Sequence, residues 1–218
     1  MPSNRHISMK REYTGDMILN DHLMIYTKNV QKAIKFAAKT HNQYQQQLRK
    51  GKEIPYITHP LTVGIILSLS GASEDIVVAG ILHDTIEDSA DHKKVTAGMI
   101  AERFGDAVAE LVLSVTETDK SRSWDERKAE ALGHIAHFSH DSLLVKSADV
   151  LSNVTELIDD HARYGDEVFS RFHVPKGKTV SQQLKVIAAI LGRWPESPLS
   201  GDLSAGMEEL RRIGGDLR

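Results

Sequence analysis

The chain has 218 residues, 40% hydrophobic and 26% charged, with a formal net charge of −3 and no cysteine. That balance belongs to a globular chain long enough to bury its own core without covalent staples. It excludes disulfides and thiolate metal sites, gives no positive field for nucleic acid, and holds no apolar run near the ~20 residues that span a membrane.

Residues 1–27 show no clean period and are expected to form a tail or lead-in. Their start, MPSNRHISMKREYTGD, lacks the apolar stretch of a signal peptide, so a cytoplasmic protein is expected. From Asn29, a candidate cap, Val30, Ala33, Ile34, Ala37, His41, Tyr44 and Leu48 follow the spacing of one helix face, with Gly51 as its stop. The loop KEIPYIT leads to a helix opening at His59-Pro60, where proline at the first turn loses no needed hydrogen bond. It runs to Ser70 and breaks at Gly71.

Ser73, followed by Glu74 and Asp75, caps the next helix, whose body IVVAGILHDTIED is apolar nearly all round, as in a central core helix. Thr96 opens a helix to Phe104, and Asp106 opens another through LVLSV. After the polar connection ETDKSRS, helices are predicted from Trp124 to Phe138, from Asp141 to Ala162, and briefly near GDEVFSRF. Thr179 is expected to cap a helix ending before Trp194-Pro195, and MEELRRI is a last amphipathic segment. No period-two alternation occurs, so the chain reads as all-α, with one domain over 28–194 and a linker with a short helix over 195–218.

Metal-type ligands fall on three of these helices. His59 opens one, His83-Asp84 stands near the end of the most apolar one, and Asp149 lies within LLVKSADVLSNV. A carboxylate in an apolar helix is costly unless paired or metal-bound. Two imidazoles and two carboxylates make a mixed nitrogen and oxygen set suited to one Mn²⁺, Fe²⁺ or Zn²⁺, with positions left for water and a phosphate. Taken alone, His83-Asp84 reads first as a helix C-terminus; His59 and Asp149 turn the reading toward a metal. Glu87 and Asp88 follow His83 and Asp84 by four residues, one helical turn on, where they can orient or deprotonate a water. Lys146, Asp149, Asn153 and Glu156 form a polar stripe in which Lys146 can buttress Asp149 and Asn153 can hold a phosphate or sugar oxygen.

The segments RKGKEIPYITHP, GILHDTIED, FGDAVAELVLSVTETDK and VKSADVLSN together resemble the hydrolase domain of the RelA/SpoT alarmone enzymes and the small stand-alone alarmone hydrolases. The resemblance implies an all-α HD-domain helical bundle that removes the 3′-diphosphate of guanosine tetra- or pentaphosphate, typically with Mn²⁺. It also implies His59, His83, Asp84 and Asp149 as metal ligands and Glu87 with Asp88 as the pair that prepares the water. Arg49 and Lys50 would be the basic pair at the nucleotide, with the arginine packed on the base, and Asn153 would lie near ribose and phosphate. Two departures stand out. The usual AHxGQxRKxG becomes THNQYQQQLRKGK, with extra residues between His41 and Arg49, and Ser147 and Val150 replace a leucine and a basic residue around Asp149.

Arg127 and Lys128 are further candidates for a substrate phosphate, against the alternative of a solvated charged face. His41 on its apolar face reads first as a core residue and second as a partner behind the metal site. His134, His137 and His140 read as a solvated helix edge, and Trp124 and Trp194 as packing anchors. The expected ligand is a small nucleotide, with no nucleic acid or membrane partner; the sequence leaves the oligomeric state open. The alternatives are an HD phosphohydrolase acting on an adenosine alarmone or the 2′-phosphate of NADPH, or an HD protein that senses a nucleotide without cleaving it.

Overall fold

Two glycines set the spacing of the helices at the centre of the molecule. The computed structural model describes residues 26–117 and 121–215, and the expectations for 1–25 and for 118–120 lie outside the described residues. Helix α2 (Thr58–Leu69) packs against α3 (Glu74–Leu82). A Cβ on Gly64 would stand 2.6 Å from Ile81 Cγ1, and one on Gly80 would stand 2.2 Å from Leu67 Cδ1. Only hydrogen fits at these two crossings, so the backbones come close.

Around that pair lie α1 (Lys28–Ala38), α4 (Ala97–Phe104), α5 (Asp106–Val115), α6 (Trp124–Ile135), the long α7 (His140–Tyr164), α8 (Lys176–Arg193) and α9 (Ser200–Gly214). The described residues contain no sheet, only an isolated antiparallel bridge between Leu48 and Pro55. The all-α reading therefore holds. The apolar run Ile76–Leu82 is buried on every side, as expected of a central helix, with α1, α2, α5 and α7 against it.

Four boundaries differ from the sequence expectation, each for a local reason. The first helix stops at Tyr44, after a π-helical stretch over Lys39–Tyr44; Gln46 then takes a left-handed φ of 50°, and Leu48 is 52% exposed instead of facing the core. Its cap is Thr27, whose hydroxyl accepts from the Val30 amide, while Asn29 reaches across to Glu74 at 2.9 Å. Helix α3 ends at Leu82, because the Thr85 hydroxyl and amide both donate to the Leu82 carbonyl, at 2.6 and 2.9 Å. Helix α8 begins at Lys176, three residues before Thr179, so Thr179 sits inside the first turn and donates to the Pro175 carbonyl at 3.3 Å.

The core also runs past residue 194. Leu203, Met207 and Leu210 of α9 are buried in the same cluster, and α9 packs on α7 and α8. His140, exposed on the helix edge as expected, stacks on Trp194 with ring centroids 4.2 Å apart, and Trp194 is the packing anchor at that junction. Among the described residues no helix is long and apolar enough to cross a membrane.

The close crossing predicts opposite effects for two glycine-to-alanine changes. Gly80→Ala gains about 1 kcal/mol of helix propensity but overpacks the core by about 1–3 kcal/mol, for a net loss. Gly133→Ala, on the exposed side of α6 with nothing within 4 Å, should gain up to about 1 kcal/mol. Urea denaturation of the two variants beside the parent checks both signs.

Candidate active site

The crossing of α2 and α3 brings His59, in the first turn of α2, beside His83, at the C-terminal end of α3. Their rings are 5.2 Å apart edge to face, and each residue is under 5% exposed. Asp84 follows in the turn, and Asp149 comes from the middle of α7. His83 Nε2 lies 3.0 Å from Asp84 Oδ2, and His59 Nε2 lies 3.7 Å from the same oxygen. Asp149 Oδ1 is 3.3 Å from His59 Nε2 and 3.9 Å from His83 Nε2. The structure thus brings together all four residues singled out as a metal set.

The outer side of each ring is fixed. His83 Nδ1 donates to the Gly80 carbonyl at 2.7 Å, and His59 Nδ1 is 2.9 Å from Ser152 Oγ. A ring that spends its Nδ1 proton outward turns a bare Nε2 lone pair toward the centre, the tautomer a metal requires. His83 Nε2 is buried, and its contact with Asp84 Oδ2 is an ion pair without the alignment of a hydrogen bond. Ligand atoms of His59, His83 and Asp149 all lie within 4.8 Å of one another. The donor set therefore fits a divalent metal, with Asp84 adjoining it.

Electrostatics bind the cluster tightly. Burial pulls the His83 imidazole down, but the Asp84 and Asp149 carboxylates outweigh it and raise the ring to about 9. Burial pushes Asp84 up, and the two imidazoles outweigh that and hold it well below the usual carboxylate range. For Asp149 the opposing groups are Lys146, 2.8 Å away, and the same two rings, again with a net lowering. Burial and the neighbouring Asp84 raise the Tyr56 phenol, so it keeps its proton and donates to Asp84 Oδ2 at 2.5 Å.

Glu87 and Asp88 lie in the turn beyond α3, outside the helix expected to carry them, but still one turn from the histidine-aspartate pair. The Asp88 amide donates to the Asp84 carbonyl at 2.9 Å. Glu87 Oε2 accepts from the Glu117 amide at 3.2 Å, and Asp88 Oδ2 accepts from Gln47 Nε2 at 3.0 Å.

The α7 stripe continues outward from Asp149. Asn153 Nδ2 donates to Asp149 Oδ1 at 2.7 Å, while its Oδ1 accepts from Arg49 at 2.9 Å. Arg49 also donates from Nε to Glu156 at 2.8 Å and lies over the Tyr56 ring. Lys52 bridges Glu156 and Asp160 at 2.5 Å each. Arg49 is therefore tied to α7 before any ligand arrives. Lys50 instead lies 5.2 Å above the Phe172 ring, where burial and the charge of Lys128 both lower its pKa. Arg127 and Lys128, expected to be either free for phosphate or solvated, are both paired to Glu117.

Sequence reasoning missed Gln47, Lys52, Tyr56, Glu117 and Ser152. Tyr56 stands inside the PYIxHP segment and Ser152 precedes Asn153, so both were within reach; Gln47 and Glu117 show no signal apart from their partners.

A family model for the HD domain matches residues 33–177. Guanosine-3′,5′-bis(diphosphate) 3′-pyrophosphohydrolase MESH1 of Danio rerio is 39% identical over 126 residues, which are 57% of this chain and 66% of that protein. The guanosine-3′,5′-bis(diphosphate) 3′-pyrophosphohydrolase of Aquifex aeolicus is 36% identical over 141 residues, 64% of this chain and 19% of that protein. A solved structure described as a metazoan ortholog of SpoT that hydrolyzes ppGpp superposes with a TM-score of 0.68 at 26% identity, covering 88% of this chain and 98% of the other.

The raised His83 ring makes metal uptake compete with a proton. Below the ring's value of about 9, apparent affinity for a divalent ion should rise about tenfold per pH unit, because binding expels that proton. Competition titrations against a chelating dye at pH 6.5 and 8 measure the slope; a flat profile would show that His83 is not a ligand.

Proposed function

Because the chain belongs to the HD-domain family, we propose that it is a metal-dependent phosphohydrolase that removes the 3′-diphosphate of guanosine 3′,5′-bis(diphosphate), ppGpp, or of its pentaphosphate form. The observation that carries this reading is the convergence of His59, His83, Asp84 and Asp149, with each imidazole Nε2 within 4 Å of both carboxylates. Those four residues would hold one divalent ion, Mn²⁺ in this reading, since a mixed imidazole and carboxylate set suits it. When bound, the ion supplies Lewis-acid polarisation of a phosphate oxygen and a lowered pKa for water.

The chain's own groups do the rest. Glu87, with Asp88 beside it, orients the attacking water and accepts its proton. Water oxygen bonds to the phosphorus on the 3′-oxygen, the P–O3′ bond breaks, and the electron pair leaves with the ribose oxygen, which takes a proton from solvent to balance the one Glu87 accepts. The products are pyrophosphate and a nucleotide with a free 3′-hydroxyl. Lys146 keeps Asp149 charged through Oδ2, and Asn153 fixes Oδ1, the oxygen facing the imidazoles, while reaching toward the ribose. Arg49, backed by Glu156 and layered on Tyr56, packs against the base. Lys50, Arg127 and Lys128 meet the phosphates, the last two by exchanging Glu117 for the ligand. The work is mainly positioning and charge stabilisation, as in other phosphoryl transfers. A nucleotide polyphosphate substrate also suits a cytoplasmic enzyme.

Metal-loaded protein incubated with ppGpp, the adenosine counterpart and NADPH, with products resolved by chromatography, should release pyrophosphate from ppGpp. Preferred cleavage of either other nucleotide would reassign the substrate, and tight binding without cleavage would mark a sensor. Asp84→Ala should lose metal and activity together. Glu87→Ala should keep its metal, measured by atomic emission, while kcat falls by about 100-fold or more.

A further inference from the structure

The proposed reaction leaves one buried titratable group unused. His41 is 0% exposed, lies within the π-helical stretch, and packs its ring 5.1 Å from Tyr56. Its Nδ1 is 3.1 Å from Gln47 Oε1, and its Nε2 has no partner. Gln47 is held by its main chain on both sides: its amide donates to the His41 carbonyl, and its carbonyl accepts from the Tyr56 amide, each at 2.9 Å. Its side chain then spans from His41 to Asp88, donating from Nε2 to Asp88 Oδ2 at 3.0 Å.

We infer that His41 is a positioning residue: as the Nδ1–H tautomer it sets the direction of the Gln47 amide, and that amide holds the Asp88 carboxylate at the active site. The inference rests on the reading that Asp88 serves the water there. An ionised carboxylate only accepts hydrogen bonds, so Gln47 must turn its NH₂ toward Asp88 and its oxygen toward His41. That oxygen needs a donor, and Nδ1–H is the group facing it. Burial lowers the His41 pKa against the opposing field of Asp84, so the ring is neutral and has one proton to place. With the proton on Nδ1, Nε2 is left bare, in accord with its lack of a partner. Turned over, the amide would set its oxygen against Asp88, two acceptors in contact.

The backbone serves the same arrangement. The π-helical hydrogen bond from the Gln45 amide to the Thr40 carbonyl widens the last turn, and the left-handed Gln46 folds the chain back beneath His41. Such π-turns recur at functional sites.

The test compares His41→Leu, His41→Asn and Gln47→Leu in metal-loaded protein. Asn can donate from near the Nδ1 position, whereas Leu fills the space without a donor. His41→Leu and Gln47→Leu should each lower kcat about 10-fold, with KM and metal content within twofold, and His41→Asn should recover most of the loss. The double variant His41→Leu/Gln47→Leu should be no worse than either single one, since both break one chain of contacts. Simple core packing predicts the reverse order, with His41→Leu active and His41→Asn impaired, and that result overturns the inference, as would losses that multiply. A second readout does not need turnover. Ring ¹⁵N shifts of His41 in Zn²⁺-loaded protein, assigned through the His41→Asn spectrum, should report Nδ1–H; an Nε2–H ring or an imidazolium overturns the proposal. If the unmutated protein cleaves no nucleotide, the proposed reaction fails, and the ring measurement still decides the tautomer.

Discussion

The active site depends on holding two imidazoles each within 4 Å of both of two carboxylates, in a region mostly closed to water. Two carboxylates brought into one buried pocket repel each other, so Asp84 and Asp149 cannot stand there alone. Without a metal, the opposing charge comes from the protonated His83 and from Lys146, which is why one ring is raised while both acids are lowered. A divalent cation meets the same demand with a single centre, and the expelled proton is the other half of that exchange. Tyr56 and Asn153 satisfy lone pairs that the cations leave over.

Such a cluster is only as exact as the elements that carry it. Gly64 and Gly80 let α2 and α3 approach closely, and His59 and His83 lie five and three residues from those glycines. Gly80 contributes twice, since its carbonyl also fixes His83. Helix α7 supplies the third side and acts as a rod. Lys146, Asp149, Asn153, Glu156 and Asp160 lie along one face of it, so the metal-type end and the Arg49–Lys52 end share one rigid frame.

Legibility in the sequence followed the range of the interactions. The central helix was readable because IVVAGIL has no polar side to expose, and the four cluster residues because a charged or imidazole group in that setting needs a reason. The stripe on α7 was readable from spacing alone. Residues whose roles come from distant partners were not: Arg49 meets Glu156 across 107 positions, and Gln47 meets Asp88 across 41. The helix ends failed for a different reason. Periodicity carried the first helix to Leu48 and the central one to Asp88, but a π-turn and the Thr85 hydroxyl stopped each a turn or more early. Hydrophobic period reports which face is buried and says little about where a hydroxyl competes for the last carbonyl.

The pairing of Arg49 and Lys52 with α7 has a consequence for how this family can change length. The position of Arg49 and Lys52 is set by Glu156, Asn153 and Asp160 on a separate helix, so the peptide leading to them has to place only Gln47 on the way. Residues added between His41 and Arg49 are taken up by a widened turn and one left-handed residue, while the guanidinium stays at its anchor. Lengthening a surface segment costs little entropy when both ends are pinned. Insertions and deletions before Arg49 can thus accumulate only where they spare the Gln47 contacts with His41 and Asp88, whereas a single residue added within α7 would rotate the whole stripe by about 100° and scatter it.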